Sequence, residues 1–229
     1  MLELIVDGDG PEKLTFEVRK MVNGGFTGRD LGEVQKHIDE LRKCGVIASQ
    51  EIPAFYPILP DRITTSERIK VLPDSKTSGE VEYVLLLDGD NIYVTVGSDH
   101  TDRELEKHSI PMSKQIYFNV IAPKVWRYED VKGHWDDLIL RAWVEENSQR
   151  QLYQEGKLGK IIRPEELIEK VRARVTGDLR GAVIYSGTLP TIGGGLCFSS
   201  RFEMELIDEH VGRAIRYAYS AEPIAWFRC

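Results

Sequence analysis

The chain predicts a mainly β protein with few helices, of the α+β class, on three observations. Strand-like runs are many, helical apolar stripes are few, and no recurrent βα alternation points to a doubly wound sheet. With 229 residues and 41% hydrophobic content, the chain is long enough for one large domain or two small ones. The expected organisation is a small N-terminal β/helix lobe over residues 1–50 packed on a main domain over residues 51–229. No repeat, linker or low-complexity tract interrupts it.

LELIV and LTFEVRKMV read as short strands around a DGDGP turn. NGGFTGRD then leads into a helix. Asp30 and Glu33 have capping-box spacing, and Leu31, Val34, Ile38 and Leu41 form an apolar stripe that ends before Gly45. His37 lies one position off that stripe with no residue at metal-ligand spacing beside it, and reads as a boundary histidine. Residues 52–60, IPAFYPILP, carry too many prolines for a central helix or strand and predict a rigid extended loop. Such a loop can wall a site, which makes Tyr56 a candidate substrate contact.

After RIKVL and a turn-rich PDSKTSG connector comes a hairpin over residues 80–99. TDRELEKHS reads as a short helix and IYFNVIA as a strand. LILRAWVEENSQRQLYQEGK reads as two strands around a polar turn. EELIEKVRARV, starting just after Pro164 and closing before Gly177, is the second helical stripe. GAVIYSGTLPTIGGG and FSSRFEMELIDEHVGRAIRYAYS alternate in strand fashion around a glycine-rich loop.

Thirty basic against thirty-seven acidic residues give a net charge of −7, which argues against a nucleic-acid footprint or an anionic membrane surface and favours small-molecule work. The start, MLELIVDGDGPEK, has neither a positive leader nor a long apolar run, and no segment offers the roughly 18 apolar residues of a membrane span, so the expected location is cytoplasmic. Cys44, Cys197 and Cys229 are odd in number and far apart, which indicates neither a disulfide framework nor a thiolate metal site. Residues 191–195 are followed by no Gly-Lys-Ser/Thr and no helix, so they are a poor phosphate cradle. Trp126, Trp135, Trp143 and Trp226 are spread too widely for a base-stacking platform and read as packing residues.

The hairpin carries the chemistry. With Gly89 and Asp90 at the centre of a type II′ turn, Leu87 faces Ile92, Glu82 faces Gly97 and Glu80 faces Asp99. Glu80 and Glu82 share a face about 6.6 Å apart, and Asp99 joins them across the pair. Val81, Tyr83, Leu85 and Leu87 cover the opposite face while Val84 and Leu86 continue the acidic one inward, so the hairpin is expected to be buried on both sides. Three carboxylates in such a place either take up protons or hold a cation. Oxygen-only ligands suit a hard divalent ion, Mg²⁺ first, then Mn²⁺ or Ca²⁺. On spacing alone a second reading stands beside this one: Glu80 and Glu82 at a solvated strand end, with Asp99 capping the helix that begins near Thr101.

Four segments in order resemble the fumarylacetoacetate hydrolase superfamily. EVEYVLLL is similar to its Glu-x-Glu strand, VGSDHTDRELE to the following aspartate segment, SKQ to the lysine motif, and GDLRGAVIYSGTLPTIGGG to the late Gly-Thr-Pro stretch. The matches span residues 80–195, about half the chain, and suggest a divergent bacterial branch. The resemblance implies a fumarylacetoacetate-hydrolase-like mixed β-sandwich roll, with a homodimer as the common assembly. It implies Glu80, Glu82 and Asp99 as metal ligands, Lys114 as the catalytic or oxyanion-stabilising lysine, Arg103 as a site-organising cation, and Thr188, with Gly187 before it, as a substrate contact.

Four departures accompany the resemblance. The loop between the Glu-x-Glu and aspartate strands is short, Glu106 stands where glutamine is usual, no aspartate follows the lysine motif, and the FYPILPDRITTSERIKV stretch ahead of Glu80 holds no match to the family's His-x-x-Glu pair. For proton transfer the remaining candidates are His108, at the end of the short helix, and Glu106, which at i, i+3 from Arg103 is close enough to pair with it instead. His100 adjoins Asp99 and, in extended backbone, faces away from the ligand cluster. The expected function is a divalent-metal-dependent enzyme acting on a 2-oxo acid or 1,3-diketo acid by C–C hydrolysis or related enolate chemistry. The alternatives are a hydratase, decarboxylase or tautomerase on the same fold, or a non-catalytic binding protein. The expected partner is a small-molecule carboxylate.

Overall fold

The structure, a computed structural model, describes residues 1–226 apart from Asp9, Cys44, Ala48 and Gln50. Cys44 and Cys229 therefore lie outside the described residues, while Cys197 is half-buried and free. The first half of the chain contains β1 (Leu2–Val6), β2 (Glu12–Phe16), β3 (Lys20–Gly25), α1 (Leu31–Lys43), β4 (Ala54–Ile58), β5 (Ile63–Thr64), β6 (Arg68–Val71), β7 (Thr77–Ser78), β8 (Val81–Asp88), β9 (Asn91–Ser98), β10 (Thr101–Asp102), α2 (Arg103–Glu106) and α3 (Ile110–Ser113). The second contains β11 (Asn119–Ile121), β12 (Lys124–Arg127), β13 (Ile139–Glu146), β14 (Gln149–Lys157), α4 (Pro164–Arg172), β15 (Ala182–Tyr185), β16 (Arg201–Asp208) and β17 (Arg213–Pro223). The mainly β class is as the sequence predicts.

A large mixed sheet has the order β2-β1-β12-β9-β8-β15-β3-β4, with β11 and β5 attached through β9. A second sheet has the order β14-β13-β16-β17-β6, and β7 pairs with β10 in a short ribbon. Alternation sorts the side chains of β8 between two cores. Val81, Tyr83, Leu85 and Leu87 pack with Leu140, Met204, Leu206 and Ile215 of the second sheet. Val84 and Leu86 pack on the other face with Leu4, Phe16, Met21, Ile58 and Val183, so strands from both ends of the large sheet close over one interior. Burial at roughly 25 cal/mol per Å² of apolar surface on both faces makes a register slip in β8 costly.

The proline-rich segment differs from expectation. Residues 54–58 form β4, an edge strand antiparallel to β3, with Pro57 opposite Val22. An edge strand needs hydrogen bonds on one side only, which is where a sheet tolerates proline. LTFEVRKMV is two strands, β2 and β3, because the chain leaves its β1 partner after Phe16 and joins β15 from Lys20. In α1, Asp30 Oδ1 accepts the Gly32 and Glu33 N–H groups at 2.8 and 3.1 Å, and Val34 and Ile38 are buried as the stripe requires. Leu31, counted in that stripe, is exposed. β12 and the 3₁₀ turns over residues 128–137 have no counterpart among the expected elements.

Candidate metal centre

The β8/β9 register is the one the turn chemistry implies. Leu87 pairs with Ile92 and Glu82 with Gly97, and Glu80 and Asp99 exchange backbone hydrogen bonds of 3.1 Å each way. Gly89 has a φ of +63°, which a side chain disfavours and the turn requires. One oxygen from each of Glu80, Glu82 and Asp99 lies within 4.8 Å of the others. Gly97 matters through close approach: a β-carbon there would stand 2.7 Å from Val84 Cγ2 and 2.9 Å from the Val120 carbonyl oxygen. The helix cap is supplied by Asp102, whose Oδ1 accepts from the Glu104 and Leu105 N–H groups, so Asp99 is left to the cluster.

Two cations face the carboxylates. Lys114, at the end of α3, donates from Nζ to Asp99 Oδ2 at 2.5 Å and to Glu80 Oε2 at 3.2 Å. Arg103, the first residue of α2, donates to Glu80 Oε1 at 2.9 Å, to both oxygens of Glu106, and to Ser78 Oγ at 2.7 Å. Among the described residues Glu82 receives only the Gly187 N–H, at 2.7 Å, and its buried Oε1 has no partner. Gly187 can serve there because its φ is +84°, with Thr27 where a β-carbon would be.

The electrostatics follow from these contacts. Burial alone would raise the Glu80 carboxyl, but Lys114 and Arg103 more than reverse it and lower it to about 2. Burial and the neighbouring Asp99 charge push Glu82 well above the ordinary carboxylate range. Asp99 is also raised, by burial and then by Glu80, against the pull of Lys114. Burial opposes the charge on Lys114, yet Asp99 and Glu80 keep it firmly protonated. With all four carboxyls ionised, the site would carry two more negative charges than its two cations balance, and one Glu82 oxygen has no partner among the described residues. An oxygen-only donor set with that excess fits one hard divalent ion.

The other candidate residues fall in three groups. Arg103, Glu106 and Lys114 are brought to the carboxylates, and Glu106 is committed to Arg103. Thr188 lies beside them, but its hydroxyl donates to the Val81 carbonyl oxygen at 2.8 Å and accepts from Gln154 at 2.8 Å. Tyr56 sits on β4 with a buried hydroxyl that has no partner, close enough to feel Lys114, Glu106, Glu80 and Asp99. His108 is exposed at the end of α2 and is not brought to the cluster. His100 is buried against Tyr117 and Tyr219, its Nδ1 2.9 Å from Tyr219 Oη, and burial followed by the Arg103 charge lowers it to about 3. Sequence reasoning missed Asn23 and Asn119. The Asn23 carboxamide supports the Asp99 charge and donates to Asn119 Oδ1 at 2.9 Å. Its place depends on the parallel β3/β15 pairing, which leaves no local signal.

Comparison with protein families matches residues 24–219 to the family described as "Protein of unknown function (DUF2848)". No curated protein matches the chain. Among solved structures, a crystal structure of Cg1458 with an inhibitor is similar at a TM-score of 0.68 and 20% identity, covering 93% of this chain and 81% of that one. A 2-keto-3-deoxy-D-arabinonate dehydratase complexed with magnesium and 2,5-dioxopentanoate is similar at a TM-score of 0.63 and 18% identity, covering 93% of this chain and 84% of that one. These likenesses show a fumarylacetoacetate-hydrolase-like fold.

Proposed function

The chain belongs to the DUF2848 family, and from that premise we propose that this member is a divalent-metal-dependent enzyme acting on a 2-oxo acid through enolate chemistry. One observation carries the reading: Glu82 Oε1 is buried without a partner among carboxylates whose oxygens converge within 4.8 Å. Glu80, Glu82 and Asp99 would hold Mg²⁺ or Mn²⁺. Bound there, the ion would polarise the 2-oxo carbonyl as a Lewis acid. The solved relative named for a 2-oxo acid dehydratase, with magnesium in its complex, supports the same reading.

The chain's own residues have assignable tasks. Gly187 orients Glu82 through its N–H, and Arg103 fixes Glu80 while Ser78 and Glu106 fix Arg103. Lys114, kept protonated by Asp99 and Glu80, would serve as a cation and hydrogen-bond donor for negative charge developing on substrate oxygen. Thr188 and Gln154 tie the glycine-rich segment to the Val81 backbone. Among the described residues no histidine side chain hydrogen-bonds to the cluster. That favours dehydration, decarboxylation or tautomerisation over C–C hydrolysis, which needs an activated water.

The test is turnover of a panel of 2-oxo acids with Mg²⁺, in wild type, Glu82→Gln and Lys114→Ala. The expected result is activity that disappears in chelator and falls at least about a hundredfold in each variant. Full activity in chelator would overturn the reading. Calorimetric binding of 2-oxo acids without turnover would favour a non-catalytic pocket.

A further inference from the structure

Among the described residues, two of the buried polar atoms without a partner belong to one cross-strand pair beside the anionic cluster. Asn23 on β3 lies directly opposite Tyr56 on β4, so their side chains share a face of the sheet. Asn23 is fully buried and Tyr56 is 8% exposed, while Asn23 Oδ1 and Tyr56 Oη have no hydrogen bond. The Tyr56 ring lies against Gly25, where a β-carbon would stand 3.0 Å from Cε2.

The orientation of the Asn23 amide is set by its neighbours. Asn119 Nδ2 donates to the Arg62 and Lys114 carbonyl oxygens, both at 3.2 Å, which turns Asn119 Oδ1 toward Asn23. Asn23 must meet that oxygen, and the Asp99 carboxylate, with its NH₂ group. The carboxamide oxygen is left as an acceptor with nothing to accept. Tyr56 Oη can donate and accept, and nothing takes either role.

A substrate carboxylate or carbonyl only accepts, and leaves Asn23 Oδ1 unpaired. An alkyl or aryl tail leaves both atoms unpaired, the situation that buried polar groups avoid. A hydroxyl donates and accepts. We propose that Asn23 and Tyr56 form a polar wall of this site that reads hydroxyl groups on the substrate's carbon chain, narrowing its class to hydroxylated 2-oxo acids. The inference rests on the reading of the site as a metal-dependent 2-oxo acid pocket.

The experiment is calorimetric binding, in excess Mg²⁺, of oxalate, 2-oxobutyrate and 4-hydroxy-2-oxobutyrate to wild type and to Tyr56→Phe, with the thermal midpoint of each ligand-free protein. Wild type is expected to prefer the hydroxylated acid over 2-oxobutyrate by about tenfold to a hundredfold. Tyr56→Phe is expected to lose most of that preference, to keep oxalate affinity within about twofold, and to melt no lower than wild type, since it deletes an unpaired hydroxyl. With oxalate binding intact, no preference in wild type, or a preference that Tyr56→Phe leaves unchanged, would overturn the inference alone. A lower ligand-free midpoint in Tyr56→Phe would also overturn it, by showing that the hydroxyl has a partner within the protein. Failure of wild type to bind oxalate with Mg²⁺ would remove the parent reading and this inference together.

Discussion

Lys114 shows how a single side chain makes an acidic cluster tolerable inside a protein. Its ammonium is buried between Asp99 and Glu80, and neither carboxylate is solvated enough to stand alone. Removing one partner of a buried ion pair costs about 3–5 kcal/mol because the other charge is stranded. Lys114→Met is therefore expected to lower the ligand-free stability by about that amount in denaturant titration. Mg²⁺ should recover part of the loss in the variant, since a second cation then faces Asp99 and Glu80. A loss that Mg²⁺ leaves untouched would mean that the cluster takes no metal. Glu82 differs in kind, because its charge is opposed by burial and by Asp99, and is relieved by the Lys114 charge at a distance and by one peptide N–H.

At the scale of elements, the 3₁₀ turns and the β16/β17 connection are joined by a buried carboxylate. Asp208, at the end of β16, meets His134 Nε2 at 3.0 Å and Arg213 Nε at 3.2 Å, and Arg213 in turn lies 4.5 Å over the Trp126 ring. Burial works against its charge, yet His134 and Arg213 more than offset this and hold the carboxyl below its ordinary value of 3.8. A carboxyl depressed on folding stabilises the protein above its unfolded value, and the contribution disappears as pH falls through the folded one. Asp208→Asn is thus expected to cost about 1–3 kcal/mol at pH 7, with a gap to wild type that narrows below about pH 4. Unfolding curves across pH 2.5–7 check this; a gap that stays constant with pH would refute the linkage.

At the scale of the molecule, two sheets and a curled interior bring together residues from β3, β4, β8, α2, α3 and the segment after β15, separated by more than a hundred positions. No helix among the described residues is long and apolar enough to cross a membrane. A metal that binds the folded chain alone adds stability in proportion to the logarithm of its concentration. Mg²⁺ at a hundred times its Kd is expected to add about 2.7 kcal/mol, raising the melting midpoint by several degrees. Glu82→Gln should abolish that rise while leaving the metal-free midpoint within about a degree or two. An equal rise in Glu82→Gln would exclude the proposed ligand set.

The sequence alone determined the hairpin and its register, because a Gly-Asp turn and apolar alternation favour the pairing that buries Val84 and Leu86, whereas the structure decided that Glu80, Glu82 and Asp99 converge and that Asp102 caps the helix. It also made the mainly β class legible, since strand periodicity is a local property. It read the 54–58 segment as a loop, for whether prolines can lie in a strand depends on that strand being at an edge. Only the tertiary structure decided that Glu106 is committed to Arg103, that His108 points to solvent, and that Asn23 meets Tyr56 beside the carboxylates. The reason is physical: alternation along one strand states which residues share a face, whereas the partner across that face is chosen by long-range pairing and by burial that no local stretch encodes.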